Sequence, residues 1–145
     1  MLEQKLKKMA KIVDLDYYIN CYNDEEKIKK YYRSCYKMYN LFQSRTGCVH
    51  FVIKYEDKKS NIYEQLNLIS KYIDNNTKKV LEIGCGQGSN VKYLSKKNKD
   101  IEFLGIDLVG RKLKTNNCKI IKGDYHDLSD LSDFDLVFAI ETLCY

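Results

Sequence analysis

Three glycines follow a short apolar segment and an acidic residue near the middle of the chain. The segment is Val80-Leu81-Glu82-Ile83, and it leads into Gly84, Gly86 and Gly88 in the pattern G-x-G-x-G. Glycine lets a backbone approach a ligand where a Cβ atom would clash. The pattern predicts a buried strand, a tight turn and a helix whose N-terminus faces the turn. Such a turn binds a nucleotide-type cofactor at the carboxyl end of a parallel strand.

The spacing of the glycines narrows the choice of cofactor. A dinucleotide-binding turn has the pattern G-x-G-x-x-G, which would place its third glycine where this chain has Ser89. A dinucleotide-dependent oxidoreductase is therefore disfavoured, although it stays an alternative. The remaining alternative is a strand-to-helix turn that needs glycine and binds nothing.

Two further acidic residues follow apolar segments downstream. The segment 101–108 predicts a second strand that ends at Asp107, whose carboxylate can accept hydrogen bonds from both hydroxyls of a ribose. Leu108 would then pack on the adenine. A third strand, 118–122, leads into Gly123-Asp124-Tyr125. Without a ligand, Asp107 would merely cap a strand end and Gly123-Asp124 would be a plain turn.

A fourth apolar segment, Phe134 to Glu141, predicts a strand that is covered on both faces. In order and spacing, the four motifs resemble those of the class I methyltransferases that use S-adenosylmethionine. The resemblance covers residues 78–145, and its tail is most similar to the sterol and related small-molecule carbon methyltransferases. It implies S-adenosyl-L-methionine as the cofactor, bound by Glu82, Gly84, Cys85, Gly86, Gly88, Asn90, Asp107, Leu108, Asp124 and Tyr125.

The same resemblance assigns roles to individual residues. The carboxylate of Asp124 would accept from the adenine amine, and the backbone N–H of Tyr125 would bond a ring nitrogen. Glu141 and His50 would lie near the transferred methyl group as catalytic residues, with Glu141 acting as a base or stabilising developing positive charge. The alternatives are that Glu141 is a strand-end acid facing solvent and that His50 is a packing histidine.

The resemblance implies a methyltransferase, and we expect a small molecule as the methyl acceptor. The alternative is a truncated, non-catalytic domain of a longer or multi-chain methyltransferase, which binds the cofactor or a partner. The two hypotheses share the cofactor motifs, so cofactor binding does not distinguish them. A methyl-transfer assay on this chain and on any longer parent protein would.

The elements that must position these residues form an α/β fold. Alternating strand and helix signals from residue 77 onward predict a Rossmann-like three-layer α/β/α core, with parallel strands in the order 3-2-1-4 and helices on both faces. Residues 77–145 would be the S-adenosylmethionine-binding core. Residues 1–76 would be an N-terminal helical cap on the substrate side. Its predicted helices lie near residues 2–13, after Asp24, and after Ser60-Asn61.

The chain departs from the family pattern in two places. Only ten residues separate Asp107 from Cys118, so we expect the helix after the second strand to be about one turn long. The chain also ends directly after the fourth strand. We therefore expect a fragment whose missing C-terminal segment, or a second copy in a homo-oligomer, covers the edge of that strand. Alone, the chain would be weakly active or inactive.

Charge and cysteine usage limit the remaining classes. The net charge is +5, and residues 1–79 carry 16 Lys and Arg against 10 Asp and Glu. Nucleic-acid binding is the less favoured interpretation of this basic half, because solvated lysine-rich helix faces explain the charge more simply. The six cysteines form no C-x-x-C pair, so no metal site is expected. No apolar run of spanning length is present, and we expect a cytoplasmic protein with no membrane span.

Overall fold

The computed structural model describes residues 24–38, 50, 52–53 and 61–143, with side chains for all of these except 35–38. The chain divides into two compact units, Met1–Cys35 and Tyr36–Tyr145. The predicted first helix, near residues 2–13, lies outside the described residues. The sequence-based boundary between residues 76 and 77 stays a prediction.

The first described helix, α1, is Glu25–Met38. The side chain of Asp24 accepts hydrogen bonds from the backbone N–H groups of Glu26 and Lys27, at 3.1 and 3.2 Å. These bonds satisfy donors that the first turn of a helix cannot pair internally. They also lower the pKa of Asp24, with the bond to Lys27 as the largest cause. The predicted start of the second helix, at the acidic run after Asp24, is confirmed.

A five-stranded sheet forms the centre of the larger unit. Its strands are β1 (Lys79–Ile83), β2 (Glu102–Asp107), β3 (Leu113–Lys114), β4 (Cys118–Lys122) and β5 (Leu136–Ala139). Their spatial order is β3-β4-β2-β1-β5, and all neighbours are parallel except β3 and β4. The four parallel strands therefore have the predicted order, with the strand of the glycine motif inside the sheet.

Two helices pack on one face of this sheet. They are α2 (Glu64–Ser70) and α3 (Ser89–Lys97). Their side chains join one apolar core with alternate strand residues, which place Val80, Phe103, Ile120 and Phe138 on the same face. The rings of Tyr63 and Tyr93, which flank or lie on the two helices, stack at 4.2 Å. This packing fixes α3 directly behind the glycine-rich turn.

The structure corrects three expectations. Between β2 and β4 there is no short helix, because residues 113–114 instead pair antiparallel with β4 as the edge strand β3. The segments that precede β4 and β5 are non-helical, so α2 and α3 supply helices on one face only among residues 61–143. The strand β5 is not covered on both faces, since Val137 is 49% exposed while Phe138 is buried.

The amide of Asn117 ties three chain segments together. Its Nδ2 atom donates to the backbone carbonyls of Ser95, Asn98 and Ile101 at 3.1, 2.9 and 3.1 Å. These carbonyls belong to the end of α3 and the turn before β2. One side chain, directly before β4, therefore links the end of the helix to two strands. Partly buried carbonyls are costly when they lose their donors.

We expect Asn117→Ala to lower the free energy of unfolding by about 2 kcal/mol, because three partly buried carbonyls lose a side-chain donor. Urea unfolding followed by circular dichroism measures this loss. The matched control is Asn116→Ala, an exposed neighbour for which a change within about 0.5 kcal/mol is expected. Equal effects of the two substitutions would show that the hydrogen bonds of the Asn117 amide contribute little to the free energy of unfolding.

Candidate functional site

Most of the predicted site residues gather at one edge of the sheet. Because β1, β2, β4 and β5 are parallel, their carboxyl ends meet there. Asp107 ends β2, and the segments that follow β1, β4 and β5 carry the three glycines, Asp124 and Glu141. Ligands of open α/β sheets bind at this edge, beside the strand where the order of the chain reverses. That strand is β1, with β2 on one side and β5 on the other.

The three glycines of the turn all have left-handed backbone geometry. Their φ angles are 66° at Gly84, 53° at Gly86 and 72° at Gly88. A Cβ atom at Gly84 would lie 2.0 Å from Thr142, and one at Gly88 would lie 1.9 Å from Ile120. At Gly86 an added Cβ would meet no atom within 4 Å. The outer glycines therefore serve packing, whereas the central one borders open space.

The carboxylate of Asp107 joins the glycine turn to the end of β2. Its Oδ2 atom accepts the backbone N–H of Gly86 at 2.9 Å, and its Oδ1 atom accepts the N–H of Val109 at 2.8 Å. A carboxylate has about four acceptor positions, so two remain for hydroxyl groups of a ligand. Asp107 is only partly buried, which leaves it accessible at the edge.

Glu82 lies in the core beneath the start of α3. It is 1% exposed, and its Oε1 atom accepts from the amide of Asn90 at 2.7 Å. Burial raises the pKa of Glu82 to about 7, although hydrogen bonds from Asn90 and the Val91 backbone oppose the shift. Its Oε2 atom has no hydrogen-bond partner within the described part of the chain. The acid thus holds the helix start, and Asn90 is its partner rather than a solvent-facing residue.

Cys85 contributes its backbone to the turn, while its side chain points into the core. The thiol is buried and lies over Gly105, where an added Cβ would be 2.6 Å from the sulfur. Burial strongly raises the pKa of this thiol, so it stays protonated and unreactive at neutral pH. Cys85 can therefore act on a ligand only through its main-chain atoms.

The turn after β4 brings Asp124 and Tyr125 to the same edge. The N–H of Gly123 donates to the carbonyl of Asp107 at 3.1 Å, which holds the ends of β4 and β2 together. Asp124 accepts hydrogen bonds from the backbone and from Nδ1 of His126, both at 2.8 Å. The rings of Tyr125 and His126 stack at 4.3 Å. Leu108, which follows Asp107, is partly buried.

The two predicted catalytic residues occupy different surroundings. Glu141 is exposed, has a φ of 54°, and its Oε1 atom is 3.4 Å from Nε2 of Gln65. A positive φ is uncommon outside glycine and is often found at functional positions. His50 is buried, with 8% of its surface exposed. Its predicted place near a methyl donor stays a prediction.

Sequence reasoning missed two residues that shape the turn. Thr142 covers Gly84, and its hydroxyl donates to the Gly84 carbonyl at 3.3 Å. Gly110 lies against the turn, since an added Cβ there would be 2.8 Å from the carbonyl oxygen of Gly86. The predicted strand order carried a signal for Thr142, because β1 and β5 are neighbours and the residues after them must meet. Nothing in the spacing of Gly110 indicates its contact.

The geometry defines an α/β domain with a site of the nucleotide-cofactor type. An open glycine, a strand-end carboxylate and a second acidic turn lie at adjacent strand ends, which suits a ribose and an adenine better than a metal ion. The described residues contain no cluster of three or more side chains that could hold a metal. They also include no helix that is long and apolar enough to cross a membrane.

Residues 80–145 match the model of the family described as "Methyltransferase domain". Among solved structures, the chain is similar to the plantazolicin methyltransferase BpumL in complex with SAH. The TM-score is 0.50 at 20% identity, over 74% of this chain and 40% of that one. This likeness supports the fold. Residues 80–145 are therefore similar to a methyltransferase domain in sequence, and the fold is similar to that of a methyltransferase solved with SAH.

Shorter matches link the chain to curated relatives from Clostridium botulinum. A tRNA (guanine-N(7)-)-methyltransferase of the Hall strain is 49% identical over 39 residues, 27% of this chain and 18% of the relative. The protein of that name from the Loch Maree strain is 40% identical over 55 residues, 38% of this chain and 24% of the relative. The matched part is thus under a quarter of the length of these relatives.

The buried acid of the site makes stability depend on pH. A carboxyl whose pKa rises from 4.5 to about 7 on folding favours the folded state while protonated, and this advantage is lost as pH rises from below 4.5 to above 7. Glu82→Gln removes the titration and can keep the oxygen that accepts from Asn90. We expect the variant to gain about 2–3 kcal/mol of unfolding free energy relative to the native chain between pH 4 and pH 8.5.

Urea unfolding of both chains at pH 4, 5.5, 7 and 8.5 measures this difference, because the other titrating groups are shared and cancel. Asp100→Asn, a substitution of an exposed carboxylate in the turn before β2, is the control and should give a nearly constant difference. A Glu82→Gln difference that stays flat with pH would mean that Glu82 is already ionised at acidic pH.

Proposed function

We propose that the chain binds S-adenosylmethionine at the glycine turn and takes part in methyl transfer. One observation carries this proposal: a glycine that borders open space lies beside a carboxylate at a strand end. Nothing lies close to the Cβ position of Gly86, and its backbone N–H donates to Asp107. The Asp107 carboxylate still has acceptor positions left for a ligand. The match of residues 80–145 to the methyltransferase-domain family supports it independently.

Each predicted ligand residue has a role that its position permits. Asp107 would accept from the ribose hydroxyls with its two remaining acceptor positions, and Leu108 would pack on the adenine. Asp124 and the backbone of Tyr125 would recognise the adenine edge. Gly84, Cys85, Gly86 and Gly88 would contribute main-chain atoms, whereas Glu82 and Asn90 would act by holding the start of α3 behind the turn.

When bound, S-adenosylmethionine supplies a methyl group that its sulfonium already activates. The protein then has to align the acceptor and exclude water, and a general base is optional. Glu141 would stabilise positive charge or remove a proton from the acceptor, and its exposure at the strand-end edge supports this role. The amide of Gln65 would orient that carboxylate. His50 remains the second candidate for a catalytic residue.

We propose a small molecule as the methyl acceptor, following the resemblance of the fourth-strand motif to carbon methyltransferases. A second candidate is RNA, because curated relatives that match this chain are named as tRNA methyltransferases. The alternative without catalysis is a domain that holds the cofactor for a longer protein or a partner chain.

Cofactor binding can be tested by filling the space at Gly86. We expect Gly86→Val to lower the affinity for S-adenosylhomocysteine at least roughly a hundredfold, because the side chain would occupy the open side of the turn. Asp107→Ala should lower it roughly ten- to a hundredfold by removing a charged acceptor. Isothermal titration calorimetry measures both, after circular dichroism has confirmed that each variant is folded.

The control for left-handed backbone strain is Asp133→Ala, which places an alanine at a φ of 63° in the loop before β5. It should bind S-adenosylhomocysteine as the native chain does. Native affinity in folded Gly86→Val would place the cofactor elsewhere. Binding without turnover of any acceptor in a tritiated methyl-transfer assay would favour the non-catalytic alternative.

A further inference from the structure

One stretch of the larger unit carries only positive charge. Between Leu108 and Gly123 the chain has five basic residues and neither Asp nor Glu. We call residues 111–122 the basic ribbon, since they contain the antiparallel pair of β3 and β4 at the edge of the sheet. All five basic side chains of the ribbon are exposed: Arg111, Lys112, Lys114, Lys119 and Lys122.

The ribbon places like charges opposite each other. Lys114 pairs directly with Lys119 across the two strands, so their side chains share one face. Like charges in this position are destabilising, and within the described residues no ion pair relieves them. On the neighbouring strand β2, the acidic residue on the same face as Lys119 is Glu102. It precedes the first β2 residue that pairs with β4, and it makes no salt bridge to the ribbon. Folding alone does not explain this arrangement, whereas an anionic partner would relieve it.

The opposite face of β3 and β4 packs against the core, which makes the ribbon an ordered part of the fold. Leu113 pairs with Ile120, and both join the core behind α3. The backbone and side-chain hydroxyl of Thr115 both donate to the Cys118 carbonyl, at 2.7 and 3.2 Å, which closes the tight connection. Lys114 and Lys119 are therefore displayed on an ordered surface where the strand register sets their spacing, with Arg111 and Lys112 directly before β3.

We propose that the basic ribbon binds a single-stranded segment of RNA. Phosphate groups along a nucleic-acid strand match a row of basic side chains, and release of counterions drives such binding. Directly after the ribbon, at the site edge, the imidazole of His126 is 70% exposed and stacks on Tyr125, which offers a ring on which an unpaired base can stack. Asn116, exposed in the connection, can exchange hydrogen bonds with a ribose 2′-hydroxyl, a group that DNA lacks.

This surface rests on the second candidate of the proposed function, RNA as the methyl acceptor, since it would lead an RNA strand toward the strand ends where the cofactor site is proposed. RNA binding itself requires only the ribbon and does not depend on S-adenosylmethionine. The two claims therefore fail separately: loss of the cofactor site leaves the ribbon charged, and loss of the ribbon leaves the glycine turn intact.

The test is fluorescence anisotropy of a labelled 20-nucleotide oligouridine with the whole chain, at several salt concentrations. We expect the triple variant Lys112→Gln, Lys114→Gln, Lys119→Gln to bind at least roughly tenfold more weakly at low salt, and to reduce the slope of log K against log salt by about 2. His126→Ala should weaken binding severalfold without changing the slope, because stacking carries no charge.

The matched control replaces three exposed lysines elsewhere, Lys71→Gln, Lys96→Gln and Lys99→Gln, and removes the same charge. Binding close to that of the native chain is expected. Equal loss in both triple variants would overturn the proposal, since it would reduce the effect to net charge. An oligodeoxythymidine of equal length binding as tightly as the RNA would overturn the assignment to RNA. So would ribbon-dependent binding to phosphatidylglycerol vesicles without RNA binding.

Calorimetry with S-adenosylhomocysteine on the ribbon variant separates this claim from the proposed function. Native cofactor affinity with lost RNA binding supports the ribbon. Loss of both, in a variant that circular dichroism shows to be folded, would mean that these lysines shape the glycine turn, and the proposal would be wrong.

Discussion

The site depends on one carboxylate that bonds backbone atoms of two loops. Asp107 accepts the backbone N–H of Gly86 in the glycine turn and that of Val109 in the loop after β2. It therefore fixes both loops at the carboxyl edge of the sheet. Its own position follows from the sheet, because β2 lies between β1 and β4 and the carbonyl of Asp107 accepts the backbone N–H of Gly123, just after β4. The open space at Gly86 exists because this carboxylate holds the turn in its left-handed path.

A second acid supports the turn from below. Glu82 is buried, and its bond to Asn90 holds the first turn of α3 against β1. A carboxyl in an apolar site is costly when ionised, and the raised pKa of Glu82 reflects that cost. The core is therefore less stable above neutral pH than an all-apolar core of the same shape would be. The buried carboxyl that supports the glycine turn therefore lowers the stability of the fold, as is common at ligand sites.

Short apolar runs bounded by polar turns made the four parallel strands predictable to within two residues, and the acidic residues at their ends followed from the same pattern. Contacts between segments were not predictable. The bond from Gly86 to Asp107 and the cover of Gly84 by Thr142 depend on strand register. The linker after Asp107 was expected to form a helical turn, but Leu113 gains more by entering the core as part of an edge strand.

The central claim is that the cofactor lies on the turn that Asp107 holds. The most direct measurement is a ¹⁵N–¹H correlation spectrum of the chain titrated with S-adenosylhomocysteine. We predict that the amide signals of Gly86, Gly88, Val109 and Tyr125 shift together and saturate at one dissociation constant. Those of Lys97 and Asn98, at the opposite end of α3, should stay fixed. Shifts confined to the opposite end, or none at saturating ligand, would contradict the account.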